Sequence, residues 1–227
     1  MSDYLFASQL QPTLPVTGQA NLYPVGRIFC VGRNYAAHAV EMGGEVDREA
    51  PFYFTKSAQH LTQSGATVPY APGTHDLHHE VELVVAMGRP AFRVSTQEAA
   101  TSVYGYAVGL DMTRRDLQGA AKDKRRPWDT GKDFEGSAVI GTITPGPMPD
   151  QISLKVNGVG RQAAFLSDMV WDVPSLISHL SMMYHLQPGD LIMTGTPAGV
   201  GPVQPGDVLL GEAPGLSPVS LTIGPAG

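Results

Sequence analysis

Short apolar runs alternate along the chain with Gly- and Pro-bearing turns, and the period of those runs assigns most of the elements. Glu80 to Met87 (Glu-Val-Glu-Leu-Val-Val-Ala-Met) is polar-apolar at first and then continuously apolar, which predicts a largely buried strand. Arg27 to Val31 predicts a short buried strand ending at Gly32. Gly105 to Leu110 predicts another, running straight into a polar helix over 111–121. Asn34 is placed to cap a short helix through Glu41 or Met42, stopped by Gly43-Gly44. Pro51 to Thr55 is aromatic and β-prone, and residues 57–78, with Gly65, Pro69, Pro72 and Gly73, predict turns around short strands. Residues 96–104 read as helical. Ser153 to Val156 and Gly158 to Gln162 form a hairpin pattern about Asn157-Gly158. Val173 to Leu186, opened by Asp172 and Pro174, is the clearest amphipathic helix. Strands with helices inserted make a sheet-dominated α+β fold. A polar, Pro-bearing arm covers residues 1–24, and a single domain is expected over 25–227.

Composition narrows the class. The 227 residues suit one sizeable domain. Charged residues are only 16%, while 26 Gly and 19 Pro favour short strands joined by shaped loops. The net charge of −6 argues against nucleic acid or an anionic membrane as partner. The one basic cluster, Lys122 to Arg126, reads as a solvated loop that can also attract an anionic substrate. Cys30 is the only cysteine, so no internal disulfide forms, and its apolar run makes it a small buried hydrophobe. Met1-Ser2-Asp3-Tyr4 lacks the positive start and apolar stretch of a signal peptide. No window approaches the roughly 20 apolar residues that span a bilayer. A cytoplasmic location is expected.

Several polar residues interrupt this frame where chemistry is feasible. Glu80 and Glu82, at i and i+2 of a strand, face the same side, about 6–7 Å apart at the backbone. Two carboxylates beside a core strand repel and lose hydration unless a cation lies between them. Asp111 follows a buried strand directly and completes a hard oxygen set suited to Mg²⁺ or Mn²⁺. His75, His78 and His79 offer a competing zinc reading, but their spacing fits no usual zinc pattern. If 111–121 is helical throughout, Asp111, Arg115 and Gln118 share one face and align a carboxylate, a guanidinium and an amide. Lys132, in Pro127-Trp-Asp-Thr-Gly-Lys132, can stabilise an enolate or oxyanion. His38 and Glu41, at i and i+3 on the short helix, can act as an oriented general base, with Gly43-Gly44 as a hinge. Thr196 stands in Thr-Gly-Thr-Pro-Ala-Gly-Val-Gly, a Gly-rich loop whose amides and hydroxyl can bind an oxyanion.

Together, Cys-Val-Gly-Arg-Asn-Tyr (30–35), His-His-Glu-Val-Glu-Leu (78–83), Gly-Leu-Asp-Met-Thr-Arg-Arg-Asp-Leu-Gln (109–118), Pro-Trp with Lys132, and residues 194–201 resemble the fumarylacetoacetate hydrolase family. The match runs in order from about residue 25 to the C-terminus and looks closest to the branch of fumarylpyruvate hydrolases and acylpyruvases. The resemblance implies a mixed-sheet β-roll, a homodimer, and a divalent cation (Mg²⁺ or Mn²⁺) on Glu80, Glu82 and Asp111. It matches Arg115, Gln118 and Thr196 to substrate-binding positions, Lys132 to a substrate-facing catalytic one, and His38 with Glu41 to a lid dyad. Arg33 and Lys56 match further positions that face the site. Ser57, where relatives often carry Pro, and Arg126, where they often carry Gly, are departures that bear on loop shape. The implied activity is hydrolysis of a small keto acid, a 3-acylpyruvate such as fumarylpyruvate, at a carbon–carbon bond. Oxaloacetate decarboxylation on the same metal is the alternative, and an inactive metal-stabilised binding protein is the second. Fold alone does not choose among them; the His38–Glu41 pair favours a water-using reaction.

Overall fold

The computed structural model describes residues 5–43 and 48–226; Met1-Ser2-Asp3-Tyr4 and Gly44, both used in the sequence reading, lie outside these. Two curled sheets dominate. The larger has seven strands in the order Phe52–Lys56, Ile28–Gly32, Leu191–Met193, Val81–Met87, Val103–Asp111, Ala138–Ile140 and Leu61–Gln63. It is mixed, because Leu191–Met193 runs parallel to Ile28–Gly32 but antiparallel to Val81–Met87. The second has five, Val159–Phe165, Gln151–Val156, Val208–Glu212, Val219–Ala226 and Ala66–Tyr70. The sheet-dominated α+β architecture is the one expected.

The apolar run of Val81–Met87 follows from its surroundings. Val81, Leu83, Val85 and Met87 join a core with Ile152, Leu154, Leu209 and Leu221 of the smaller sheet. Val84 and Ala86 point the other way, into a second core with Ile28, Cys30, Leu191 and Met193. Leu14, Val16, Tyr23 and Val25 close that second core, so the N-terminal segment from Thr13 onward packs against the sheet. A strand buried on both faces cannot alternate, and its polar residues mark places where polar groups have partners.

Some local expectations are corrected. Helix covers only Thr96–Ala100, capped by Ser95, and residues 103 and 104 already belong to the strand Val103–Asp111. The segment 111–121 is not one helix: strand continues through Asp111, and the helix is Arg115–Asp123. Asn34 does not cap Ala36–Glu41, whose N-cap is Tyr35; its side chain bonds the Trp171 and Thr194 carbonyls and accepts from the Trp171 N–H. The amphipathic helix stops at Met183, with Asp172 as the expected cap accepting from the Ser175 N–H. The hairpin turn is as read, with Asn157 and Gly158 both at positive φ (52° and 77°), the geometry a two-residue turn requires. Among the described residues no helix is long and apolar enough to cross a membrane.

Candidate metal centre and active site

Strand pairing builds the carboxylate cluster. Val81 pairs with Leu110, so Glu80 and Asp111 are the next cross-strand neighbours, and the Asp111 N–H donates to the Glu80 carbonyl at 2.8 Å. Glu82 lies two residues along the same face. One oxygen from each of Glu80, Glu82 and Asp111 comes within 4.8 Å of the others, and all three residues are buried (4%, 1% and 0% exposed). The histidines of the zinc reading have other partners: His75 pairs with Asp116, His78 with Asp76 and His79 with Gln162.

Three cations face the carboxylates. Lys132 Nζ donates to Glu80 Oε2 (2.8 Å), Asp111 Oδ2 (2.6 Å) and Thr113 Oγ1 (2.8 Å). Arg115 bonds Glu80 Oε1 through Nη2 and Gln118 Oε1 through Nη1 (2.5 Å). Its Nε approaches His78 Nδ1 at 3.5 Å. Lys56 lies beneath the pocket rather than on its surface. Its Nζ stands 2.8 Å from Asp111 Oδ1 but is aimed at the Met112 and Lys132 carbonyls. The sequence expectation that Lys56 faces the site becomes a buried counter-charge behind it, since its side chain has no exposed surface.

This charge pattern leaves room for a divalent cation. Asp111 Oδ1 is buried with the Lys56 ammonium 2.8 Å away as counter-charge but accepts no well-directed hydrogen bond, so it keeps lone-pair capacity for a cation. Burial pushes the Glu82 carboxyl well above its ordinary range, and the neighbouring Asp111 and Glu80 carboxylates push it further. Burial also pushes Glu80 upward, but Lys132 and Arg115 outweigh it and hold this carboxyl well below the usual range. For Lys132, burial works against the charge while Asp111 and Glu80 restore it, leaving its pKa raised. A hard cation among three oxygens would satisfy Asp111 Oδ1 and take the proton's place on Glu82, so the donor set fits Mg²⁺ or Mn²⁺.

The helix Ala36–Glu41 supplies the second element. His38 Nδ1 lies 3.2 Å from Glu41 Oε2, with His38 buried. Both Glu41 oxygens accept from the Gly199 N–H, at 3.0 and 3.2 Å. Gly195 in the same loop donates its N–H to Glu82 Oε2 at 2.9 Å. The Gly-rich loop thus binds carboxylates as expected of its amides, but they are the protein's own. Both glycines have positive φ (95° and 97°), and a Cβ at Gly199 would overlap the Arg161 carbonyl oxygen. The Thr196 hydroxyl donates to the Val81 carbonyl (2.9 Å) and accepts from Gln162 Nε2 (2.8 Å), so its proton is already committed.

These groups open on one partly open pocket. It brings together Arg33, His38, Glu80, Glu82, Asp111, Arg115, Gln118, Lys132 and Thr196. Glu41 stands behind His38. Phe54, Met42 and Trp128 also line the pocket as apolar walls, and no local sequence pattern marks them for that role. Lys122 of the basic cluster also lines the pocket and donates to the Met42 carbonyl at 3.2 Å. Arg33 holds a left-handed backbone (φ 59°), uncommon for a residue with a Cβ and often found where a side chain is aimed for use.

Residues 27–223 match the family described as fumarylacetoacetate (FAA) hydrolase C-terminal. A fumarylpyruvate hydrolase of a Ralstonia species is 54% identical over 191 residues, covering 82% of this chain and all of that protein. A mitochondrial oxaloacetate tautomerase of Arabidopsis thaliana is 42% identical over 202 residues, or 87% of this chain and 90% of that one. The crystal structure of Pseudomonas aeruginosa fumarylpyruvate hydrolase in complex with Mn²⁺ and pyruvate superposes with a TM-score of 0.93 at 42% identity, covering 98% of this chain and all of that one. With the family match spanning most of the sequence, the chain belongs to the fumarylacetoacetate hydrolase family.

Proposed function

We propose that this chain is a divalent-metal-dependent hydrolase that cleaves the carbon–carbon bond of a 3-acylpyruvate, fumarylpyruvate giving fumarate and pyruvate. The observation that carries the reading is the meeting in one pocket of a buried carboxylate triad and a glutamate-oriented histidine. The relatives support it, since one is a fumarylpyruvate hydrolase and another such enzyme was crystallised with Mn²⁺ and pyruvate. The same reading takes residues 25–227 as the catalytic domain, 1–24 as an arm, and the working form as a cytoplasmic homodimer.

Glu80, Glu82 and Asp111 would hold the cation. A divalent ion there supplies Lewis-acid charge for the negative charge that develops on a keto-acid oxygen. Gln118 accepts from Arg115 through Oε1, which leaves its amide N–H groups for the 2-oxo-acid end of the substrate, with the Arg115 guanidinium alongside. Arg33 binds elsewhere on the substrate, and Thr196 contributes a pocket wall and a lone pair rather than a donor. His38, oriented by Glu41, takes a proton from a water that attacks the distal carbonyl. The bond between that carbonyl carbon and the pyruvate methylene then breaks. The electron pair leaves as the enolate of pyruvate, whose carbon afterwards takes up a proton, and the acyl part departs as a carboxylate. Lys132 places a buried positive charge where the enolate oxygen forms.

Oxaloacetate chemistry is the second reading, and the tautomerase relative gives it weight. Neither decarboxylation nor tautomerisation needs an attacking water, whereas the His38–Glu41 pair offers an oriented base to one. The test is to assay the purified protein on fumarylpyruvate and on oxaloacetate, with Mn²⁺ and with chelator. Metal-dependent turnover that favours fumarylpyruvate supports the proposal. Preference for oxaloacetate establishes the second reading, and turnover of neither leaves only a metal-stabilised binding protein.

A further inference from the structure

Outside the pocket one buried side chain has no role in the reading above, yet its hydrogen bonds reach both halves of the site. Gln162 lies on the hairpin strand Val159–Phe165 of the smaller sheet and is 3% exposed. Its Oε1 accepts from the Val81 N–H (3.1 Å) and stands 3.0 Å from His79 Nδ1. Its Nε2 donates to Thr196 Oγ1 and to the Pro197 carbonyl, both at 2.8 Å. Two donor hydrogens and two acceptor positions are thus all used. Val81 is the residue between Glu80 and Glu82, and its carbonyl accepts from Thr196 Oγ1. The loop entered at Thr196 and Pro197 presents Gly195 to Glu82 and Gly199 to Glu41. The neighbouring Arg161 carbonyl is packed so closely on Gly199 that only glycine fits.

We infer that Gln162 is a positioning residue that ties the carboxylate pair Glu80/Glu82 to the Gly-rich loop, and through Gly199 to the Glu41–His38 pair. It touches neither substrate nor cation. Its amide closes a ring running Val81, Gln162, Thr196 and back to Val81, which fixes the distance between the strand that presents the carboxylates and the loop that supports them. Loss of the ring frees the loop, and the Gly195 bond to Glu82 and the Gly199 bond to Glu41 loosen together. Groups that orient ligands from behind typically change metal affinity by about 10–100-fold when removed.

The inference rests on the metal reading above, and the unaltered chain separates the two. Mn²⁺ is titrated into the unaltered protein, Gln162→Met and Gln162→Glu, with free Mn²⁺ followed by electron paramagnetic resonance, and kcat is then measured at saturating Mn²⁺. Gln162→Met removes every bond in a similar volume. Gln162→Glu keeps the acceptor toward Val81 and removes the donors toward the loop, so it serves if the first variant does not fold. The expected result is an Mn²⁺ Kd raised about 10–100-fold, with kcat lowered even when metal is saturating. Crossing Gln162→Glu with Glu41→Gln should then give a kcat loss smaller than the product of the single losses, because both act through the same histidine. A merely structural role lowers melting temperature and leaves Kd and saturated kcat alone. A folded variant with both within twofold of the unaltered protein overturns the inference. If the unaltered protein itself binds no Mn²⁺, the metal reading falls and the inference with it.

Discussion

Replacing Lys132 by methionine separates its charge from its bulk. Lys132 Nζ lies 2.6–2.8 Å from Glu80 Oε2, Asp111 Oδ2 and Thr113 Oγ1, all in buried surroundings. It also lies 5.0 Å from the centre of the Phe54 ring, so an apolar chain of similar length finds contact there. Without metal, the variant leaves Glu80 with Arg115 as its remaining cation and Asp111 with Lys56. Breaking a buried ion pair by removing one partner costs roughly 3–5 kcal/mol. At about 2–4 °C per kcal/mol for a chain of this size, the metal-free melting temperature should fall by about 6–20 °C. A divalent cation restores positive charge to the same carboxylates, so the deficit should shrink when the comparison is repeated in saturating Mn²⁺. Differential scanning fluorimetry of both proteins, in chelator and in Mn²⁺, reads the four values directly. An equal deficit in the two conditions, or none in chelator, would refute the view that lysine and cation share the Glu80 and Asp111 charge.

Two further outcomes follow from the geometry. His38→Ala should lower fumarylpyruvate hydrolysis by about 10²–10⁴-fold, the usual scale for a lost general base, and leave Mn²⁺ binding unchanged; a drop of the same size in oxaloacetate turnover would show that His38 only positions substrate. Because burial and the neighbouring carboxylates raise the Glu82 pKa, the metal-free site keeps a proton there at pH values where a free glutamate has lost it. Metal must displace that proton, so apparent Mn²⁺ affinity should climb with pH above the ordinary carboxylate range and lose that slope in Glu82→Gln. Calorimetry in buffers of different ionisation enthalpy measures the proton released, and a pH-independent affinity would contradict the assignment.

The carboxylate triad was legible because period-2 geometry alone puts Glu80 and Glu82 on one face and an apolar strand delivers Asp111 to their edge. The helical alignment of Asp111 with Arg115 and Gln118 was not the reason they meet. Asp111 ends a strand, and only Arg115 and Gln118 share a helix face, at i and i+3. Long-range bonding accounts for the misread cap: Asn34 is drawn to Trp171 and Thr194, more than 130 residues away, which no local pattern announces. Residues 103 and 104 are β-prone Val and Tyr: Val103 pairs with Met87, and Tyr104 is the extra residue at the register shift before Gly105 pairs with Ala86. Lys56 looked like a pocket residue because its place in the chain says nothing of depth. Gln162 carried no signal at all, since a glutamine in a hairpin strand normally faces water and only the stacked sheets bury it.

The most direct measurement is to run the Mn²⁺-loaded protein on fumarylpyruvate in H₂¹⁸O and analyse the products by mass spectrometry. The account predicts fumarate and pyruvate in equal amounts, one solvent oxygen in the new fumarate carboxylate, and loss of both products when the metal is chelated. An intact carbon skeleton, or equal product formation in the metal-free protein, would contradict it.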